Sequence, residues 1–285
     1  MVDSGRTPWR GPEVEEDRAD RVDDRHTGGS LAEVREYWDS HLNLTQFLNA
    51  DEVAVGSDKF HDRLRETLDR YAYKRRQLED YARASEGKEL HEIGCGLGVE
   101  LAELGRLGFD VTGIDLAPGA VRQCGEYLER EGVAGKALVG NAEKLDFPEH
   151  RFDAVYSSGV LQHTPDIDRA IGEIWRVLRP GGKILIILYH RHSWFYLLHR
   201  LSGVSVEFDS DDAPIVNSYT KAELRSLFSQ FRDLRIEVEY WRPLPTMRPG
   251  VIPLVYNRVF VPAARLVPRA AIQRFGWHLV LTARK

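Results

Sequence analysis

The sequence predicts a doubly wound α/β fold, a parallel sheet with helices on both faces and an N-terminal helical lid. From Lys88 onward, short apolar runs alternate with amphipathic stretches in the order strand, helix, strand. The first run closes on three alternate glycines, Gly94, Gly96 and Gly98, where such a fold turns from strand into helix. With 285 residues and 42% hydrophobic composition the chain can bury one substantial core, so one domain with additions is expected.

Residues 1–29 are rich in Asp, Glu, Arg, Gly and Pro and hold few apolar side chains to offset the entropy of ordering, so they read as a disordered tail. Ser30 with Glu33 matches a capping box, and Leu31, Val34, Trp38, Leu42 and Phe47 follow at helical spacing. Phe60, Leu64, Leu68, Tyr71, Leu78 and Tyr81 mark one further helix, and residues 30–84 together make the lid. The main domain, 85–285, opens with the strand "ELHEIG" and a helix from Gly98 to Leu107. It continues with "FDVTGID", a helix from Pro118 to Arg130, "KALVG", "FDAVYSS", a helix from Ile167 to Leu178, and "GKILIILY". Pro180-Gly181-Gly182 reads as a turn, and Thr220 with Glu223 caps the helix "KAELRSLFSQF". Two insertions interrupt the domain, at about 190–218 and 243–274, and Pro253, Pro262 and Pro268 should break the second into short helices.

A net charge of −5 gives no electrostatic case for a nucleic-acid partner. Two cysteines, Cys95 and Cys124, are too few for a disulfide framework, and a reducing cytoplasm is the simplest location. No apolar run reaches the roughly 18 residues of a transmembrane segment.

Glycines at 94, 96 and 98 let the chain turn sharply and let a ligand lie against backbone amides at the next helix. The following strand ends in Asp115, whose carboxylate suits the two hydroxyls of a ribose, so a nucleoside-bearing cofactor is expected. A nicotinamide dinucleotide would ask for G-x-G-x-x-G, and here the third glycine comes one residue early. Glu92 would also sit poorly beside a pyrophosphate but well beside the ammonium of a methionine moiety, which favours S-adenosylmethionine.

Five motifs in order over about residues 88–190 resemble the class I S-adenosylmethionine-dependent methyltransferases of the small-molecule, type 11-like kind. "HEIGCGLG" implies Glu92, Gly94, Cys95, Gly96 and Gly98 around the methionine portion, and "GIDLAPGAV" implies Asp115 on the ribose and Leu116 against the adenine. "GNAEKLDFP" implies Asn141, Ala142 and Glu143 at the adenine edge. "FDAVYSSGVLQHTPD" implies Ser158, Gly159 and Val160 lining the cofactor, with Gln162 and His163 facing the reaction centre. "EIWRVLRPGGKILI" resembles the helix, turn and fifth strand, and "RIEVEYW" with "GWHLVLTARK" the last two strands, the final one antiparallel, so the resemblance implies a seven-stranded, mostly parallel, Rossmann-like sheet. Tyr71 after Arg70 resembles lid helices that contact the cofactor's methionine end.

With an activated sulfonium methyl the protein need hold a nucleophile about 3 Å from that carbon and remove a proton. His163 is the candidate base, against a role in shaping the pocket. Tyr189, His190 and His192 are candidate substrate contacts; the histidine spacing of "YHRHSWFYLLHR" lacks acidic or Cys partners, so no metal is expected. Trp38, Tyr71 and Tyr73 could offer aromatic faces to a cation or simply pack the lid. The 243–274 insertion reads as a pocket wall, a homodimer surface or an interfacial element for a lipid-like substrate. The expected activity is methyl transfer to O or N of a small metabolite, a secondary metabolite or modified peptide; the alternatives are a noncatalytic cofactor-binding sensor or subunit and an NAD-dependent oxidoreductase.

Overall fold

A computed structural model describes residues 29–41, 56–70, 72–197, 213–240, 251–268, 270 and 273–285. The expected tail, Leu42, Phe47, Tyr71 and His199 lie outside them. Seven strands form one sheet: β1 (Glu89–Ile93), β2 (Asp110–Asp115), β3 (Gly135–Val139), β4 (Phe152–Ser158), β5 (Leu178–Tyr189), β6 (Arg232–Glu239) and β7 (His278–Arg284). Their order is β3-β2-β1-β4-β5-β7-β6, parallel through β5, with β7 antiparallel to both neighbours. The inner strands are apolar on both faces because helices cover both: Leu90, Val155, Ile184, Leu185 and Ile186 have no solvent exposure.

The helices of the nucleotide-facing half are α4 (Val99–Arg106), α5 (Pro118–Arg130) and α6 (Ile167–Val177). Their bounds follow the sequence closely because each carries a local signal: Pro118 in the first turn of α5, and Asp166 capping the Arg169 N–H of α6 at 3.0 Å. Before them stand α1 (Leu31–Ser40), α2 (Asp58–Arg70) and α3 (Ala72–Ala84). Both Ser30 capping bonds form, Glu33 N to Ser30 Oγ at 3.3 Å and Ser30 N to Glu33 Oε2 at 2.6 Å.

Phe60, Leu64 and Leu68 of α2 and Leu78 and Tyr81 of α3 enter one core with Leu101, Leu104 and Tyr127, as the single apolar stripe through these positions predicts. Tyr81 reaches the sheet itself, donating its hydroxyl between the Val155 carbonyl at 2.9 Å and the Lys183 carbonyl at 2.8 Å.

Two expectations are corrected. Pro180-Gly181-Gly182 is a bulge within β5: Phe152 pairs with Leu178 and Ala154 with Lys183, so the extra residues loop out, with Gly181 at φ 80°. The second insertion is one helical run, Val251–Val255, a π turn at Tyr256–Phe260, and Val261–Leu266. Pro253 falls in the first turn, where no N–H partner is needed, and Pro262 follows the π turn, which relieves the ring's clash with the preceding turn. Only Pro268 coincides with the end of the run.

Candidate cofactor site

The site lies at the carboxyl ends of β1, β2 and β4, where the strand order reverses direction between β1 and β4. All three glycines of the first loop are left-handed, Gly94 at φ 76°, Gly96 at 49° and Gly98 at 84°. Their surroundings differ. A Cβ on Gly94 would stand 2.1 Å from Val160 Cγ2, and one on Gly98 would stand 2.8 Å from Cys124 Sγ. At Gly96 a Cβ would meet nothing within 4 Å, because that residue faces the cleft.

The Ile114 carbonyl accepts from both Gly94 N at 2.8 Å and Cys95 N at 2.9 Å, which holds the loop against β2. Asp115 then fixes two loops at once: Oδ2 accepts from Gly96 N at 3.0 Å and Oδ1 from Ala117 N at 2.9 Å. Each oxygen keeps a further lone pair for a ligand hydroxyl. Burial raises the Asp115 carboxyl above its ordinary range, opposed by those backbone donors.

Glu92 is 2% exposed, and its Oε2 has no hydrogen-bond partner among the described residues. Its carboxyl is pushed well above the usual range, first by burial and then by the neighbouring Glu100 charge. Lys74 Nζ pairs with Glu100 Oε1 at 2.6 Å, and Tyr156 donates to Glu100 Oε2 at 2.9 Å. An incoming ammonium would supply the positive charge that Glu92 lacks.

Gly94, Gly96, Asp115, Leu116, Asn141, Ala142, Ser158, Gly159, Val160 and His163 line one cleft, and Trp38 closes it from α1. Asp39 accepts from Gly119 N at 2.8 Å, which seats α1 on the first turn of α5. Four proposed residues stand behind this lining, one of them Gly98, which abuts Cys124. The side chain of Cys95 points into the core against Gly113 and Cys124, Glu92 lies beneath the floor, and Glu143 Oε1 accepts from Asp166 N at 2.9 Å. Asn141 Oδ1 accepts from Glu143 N at 2.9 Å, turning the loop so that Asn141 and Ala142 meet the cleft. The sequence reading missed Leu31, Val34, Ile114, Ala120, Thr164 and Pro165, small or apolar residues that line the cleft without a motif of their own. Only the helical stripe through Leu31, Val34 and Trp38 could have flagged the first two.

His163 lies in a short turn after β4 and is 4% exposed. Its Nδ1 is 2.6 Å from the Ile215 carbonyl, which makes Nδ1 the protonated nitrogen, and Nε2 has no partner among the described residues. Burial lowers its pKa to about 4, so the ring is neutral. The Trp38 and Tyr189 rings stand edge-on to it at 5.0 and 5.9 Å. Gln162 is fully buried, with neither amide atom partnered among the described residues. Tyr189 stacks on Trp277 at 4.6 Å. His190 instead ties the end of β5 to the loop before β7, its Nδ1 2.9 Å from the Gly276 carbonyl, while His192 is exposed. Tyr73 places its hydroxyl 2.5 Å from His278 Nδ1.

The chain matches the family described as "Methyltransferase domain" over residues 91–186. It is 36% identical over 99 residues to a sterol 24-C-methyltransferase, ERG6B, of Gibberella zeae, covering 34% of this chain and 26% of that protein. It is 38% identical over 104 residues to a ubiquinone biosynthesis O-methyltransferase of Paramagnetospirillum magneticum, covering 36% of this chain and 41% of that one. The chain therefore spans less than half the length of these curated relatives. Among solved structures, the cyclase SpnF shares the fold, with a TM-score of 0.59 at 19% identity over 88% of this chain and 94% of that one. A fold that also carries a cyclase leaves activity to be argued from the site. Residues 91–186, the stretch that carries the glycine loop, Asp115 and His163, are thus similar to a methyltransferase domain, set in a fold shared with solved S-adenosylmethionine-dependent methyltransferases.

Proposed function

We propose that this protein transfers the methyl group of S-adenosylmethionine to an oxygen or nitrogen atom of a small-molecule acceptor, with His163 taking the displaced proton. The carrying observation is the Nε2 of His163: buried, unpartnered among the described residues, on a ring whose tautomer Ile215 sets, and in the cleft that holds Gly96, Asp115 and Asn141. The sterol and ubiquinone-biosynthesis names of the relatives agree with a small-molecule acceptor.

The residues present fit the cofactor. The orphaned Glu92 carboxyl suits the methionine ammonium, the loop at Gly96 leaves open space beside the backbone, Asp115 offers lone pairs to the ribose, and Leu116 with Asn141 would flank the adenine. When bound, S-adenosylmethionine supplies a sulfonium methyl group already activated for transfer. Toward a hydroxyl acceptor His163 need not be a strong base, because an oxygen that has gained a methyl group holds its proton weakly; an amine acceptor would instead have to reach the methyl group in its neutral form. Once Nε2 takes that proton, the Ile215 carbonyl stabilises the imidazolium through Nδ1–H. Trp38 and Val34 of α1 cover the cleft and keep water from it. The free, buried thiols of Cys95 and Cys124 suit a reducing cytoplasm.

Calorimetric titration with S-adenosylmethionine, S-adenosylhomocysteine and NAD, on the protein and on Asp115→Asn, tests the cofactor. The expected result is micromolar binding of both sulfur compounds, weakened in the variant, with none for NAD. Binding of NAD alone overturns the reading. With an acceptor in hand, His163→Asn should lower turnover about 10²–10⁴-fold while leaving S-adenosylhomocysteine affinity nearly unchanged. Unchanged turnover removes His163 from the chemistry, and cofactor binding without turnover of any acceptor returns the noncatalytic alternative.

A further inference from the structure

The helical run Val251–Leu266 carries apolar side chains on both its inner and its outer side. Its inner side is fixed in an aromatic cluster, where Tyr256 and Val261 pack with Tyr189, Trp194, Phe195 and Trp277. Its outer side is apolar as well: Val251 is 76% exposed, Leu254 50%, Val255 53%, Val259 61% and Leu266 86%. A surface helix ordinarily turns charged residues outward, and a contiguous apolar face of this kind marks a contact surface.

Charge selects the partner. After Glu239 the sequence contains no Asp or Glu to its end, while Arg258 and Arg265 fall within the run. Arg258 is exposed beside Leu254 and Val255 on the same outer face. A second copy of this chain, joined about a two-fold axis, would bring this acid-free face against itself and oppose arginine to arginine. An anionic bilayer answers both features, taking apolar side chains into its acyl boundary and arginines at its headgroups.

We propose that the outer face of Val251–Leu266 docks the protein on an anionic lipid bilayer, and that the acceptor is a lipophilic molecule dissolved in that bilayer. The second clause rests on the methyl-transfer reading; the first stands without it. The geometry links the two, since Tyr189, edge-on to the His163 ring, belongs to the same aromatic cluster as Tyr256 and Val261 on the inner side of the helix. A continuous run of aromatic rings therefore joins the helix to the candidate base, through Trp277, Phe195, Trp194 and Phe260.

The test is co-sedimentation of the full chain, without cofactor, with vesicles of phosphatidylcholine alone or mixed with phosphatidylglycerol. The expected result is binding to the mixed vesicles, weakened by salt, and a loss of at least about tenfold in partitioning for Val259→Glu and for Arg258→Glu. Both positions are exposed, so the variants should keep the parent's thermal midpoint and its S-adenosylhomocysteine affinity. No binding to mixed vesicles, or equal binding to both kinds, overturns the proposal. A dimer in sedimentation velocity that Val259→Glu converts to monomer overturns it in favour of a second copy. Vesicle binding with no affinity for S-adenosylmethionine would uphold the docking and sink the methyl-transfer reading, so the two failures are told apart.

Discussion

Gly94 and Gly96 are two residues apart, both left-handed, and alanine should cost the fold more at Gly94 and the ligand more at Gly96. Left-handed backbone costs an L-residue about 1–2 kcal/mol at either site. At Gly96 nothing lies within 4 Å of the new methyl group, so that cost is the whole effect on the fold. At Gly94 the methyl would stand 2.1, 2.7 and 2.9 Å from the three side-chain carbons of Val160, and overpacking of this kind adds about 1–3 kcal/mol. Gly94→Ala should therefore lose about 2–5 kcal/mol of folding stability against about 1–2 for Gly96→Ala. Urea denaturation of both variants, of Val160→Ala and of the Gly94→Ala/Val160→Ala pair measures the difference. Removing both Val160 methyl groups should return about 1–3 kcal/mol of the Gly94→Ala loss, a coupling well above the ~0.5 kcal/mol scatter of independent sites. S-adenosylhomocysteine affinity should fall in Gly96→Ala despite its milder fold defect, because the methyl enters the space beside the backbone. Additive losses at 94 and 160, or equal losses at 94 and 96, would refute the assignment of one glycine to packing and the other to the ligand.

His91 is buried, stacked 4.8 Å from Phe152, bonded through Nδ1 to the Thr112 carbonyl at 2.8 Å, and its pKa is lowered to about 4. The folded state resists protonating it, so its contribution is present above about pH 6.5 and drains away as pH falls toward 4, amounting to about 2 kcal/mol lost between pH 7 and 5. His91→Phe should flatten the urea-midpoint profile over that window by this amount; parallel profiles would show that His91 is not the group responsible. Tyr81→Phe removes the one donor that two buried strand carbonyls share and should cost about 1–3 kcal/mol by thermal or urea unfolding, with cofactor affinity unchanged. Trp38→Ala opens the cleft beside His163 and should weaken S-adenosylhomocysteine binding in calorimetry while leaving the ligand-free unfolding midpoint within about 0.5 kcal/mol, since α1 contributes little besides Val34 to the buried core.

Residues whose constraint is local could be read from the sequence. Pro118, the Ser30–Glu33 box and the Thr220–Glu223 box place helix starts because the signal and the structure lie within one turn. Gly94, Gly96 and Asp115 announce a site because left-handed backbone and a strand-end carboxylate demand particular residue types. What escaped depends on distant partners. The contact of Tyr81 with carbonyls of β4 and β5 depends on how α3 lies on the sheet, and the bulge at Pro180 follows from the pairing of Ala154 with Lys183. Leu31, Thr164 and Pro165 line the cleft only because the chain brings them there. Glu143 shows the reverse: its motif is legible, but its carboxylate is engaged by Asp166, which no spacing announces.

The position of β7 between β5 and β6 also sets the tempo of folding. The half-sheet β1–β4 pairs largely between neighbours in sequence, whereas Lys183 meets Arg284 and Tyr189 meets His278 across long stretches of chain. Until residues 278–284 are in place, β5 has a bare edge and β6 has no partner strand among the described residues. Loop-closure entropy makes this the slow step, so the cofactor-facing half should acquire protection from amide exchange first and the β5-β7-β6 edge last. The long-lived intermediate would be a molecule with a formed nucleotide cleft and an adhesive flank, and chaperone dependence and aggregation during synthesis should map to that flank rather than to the cleft.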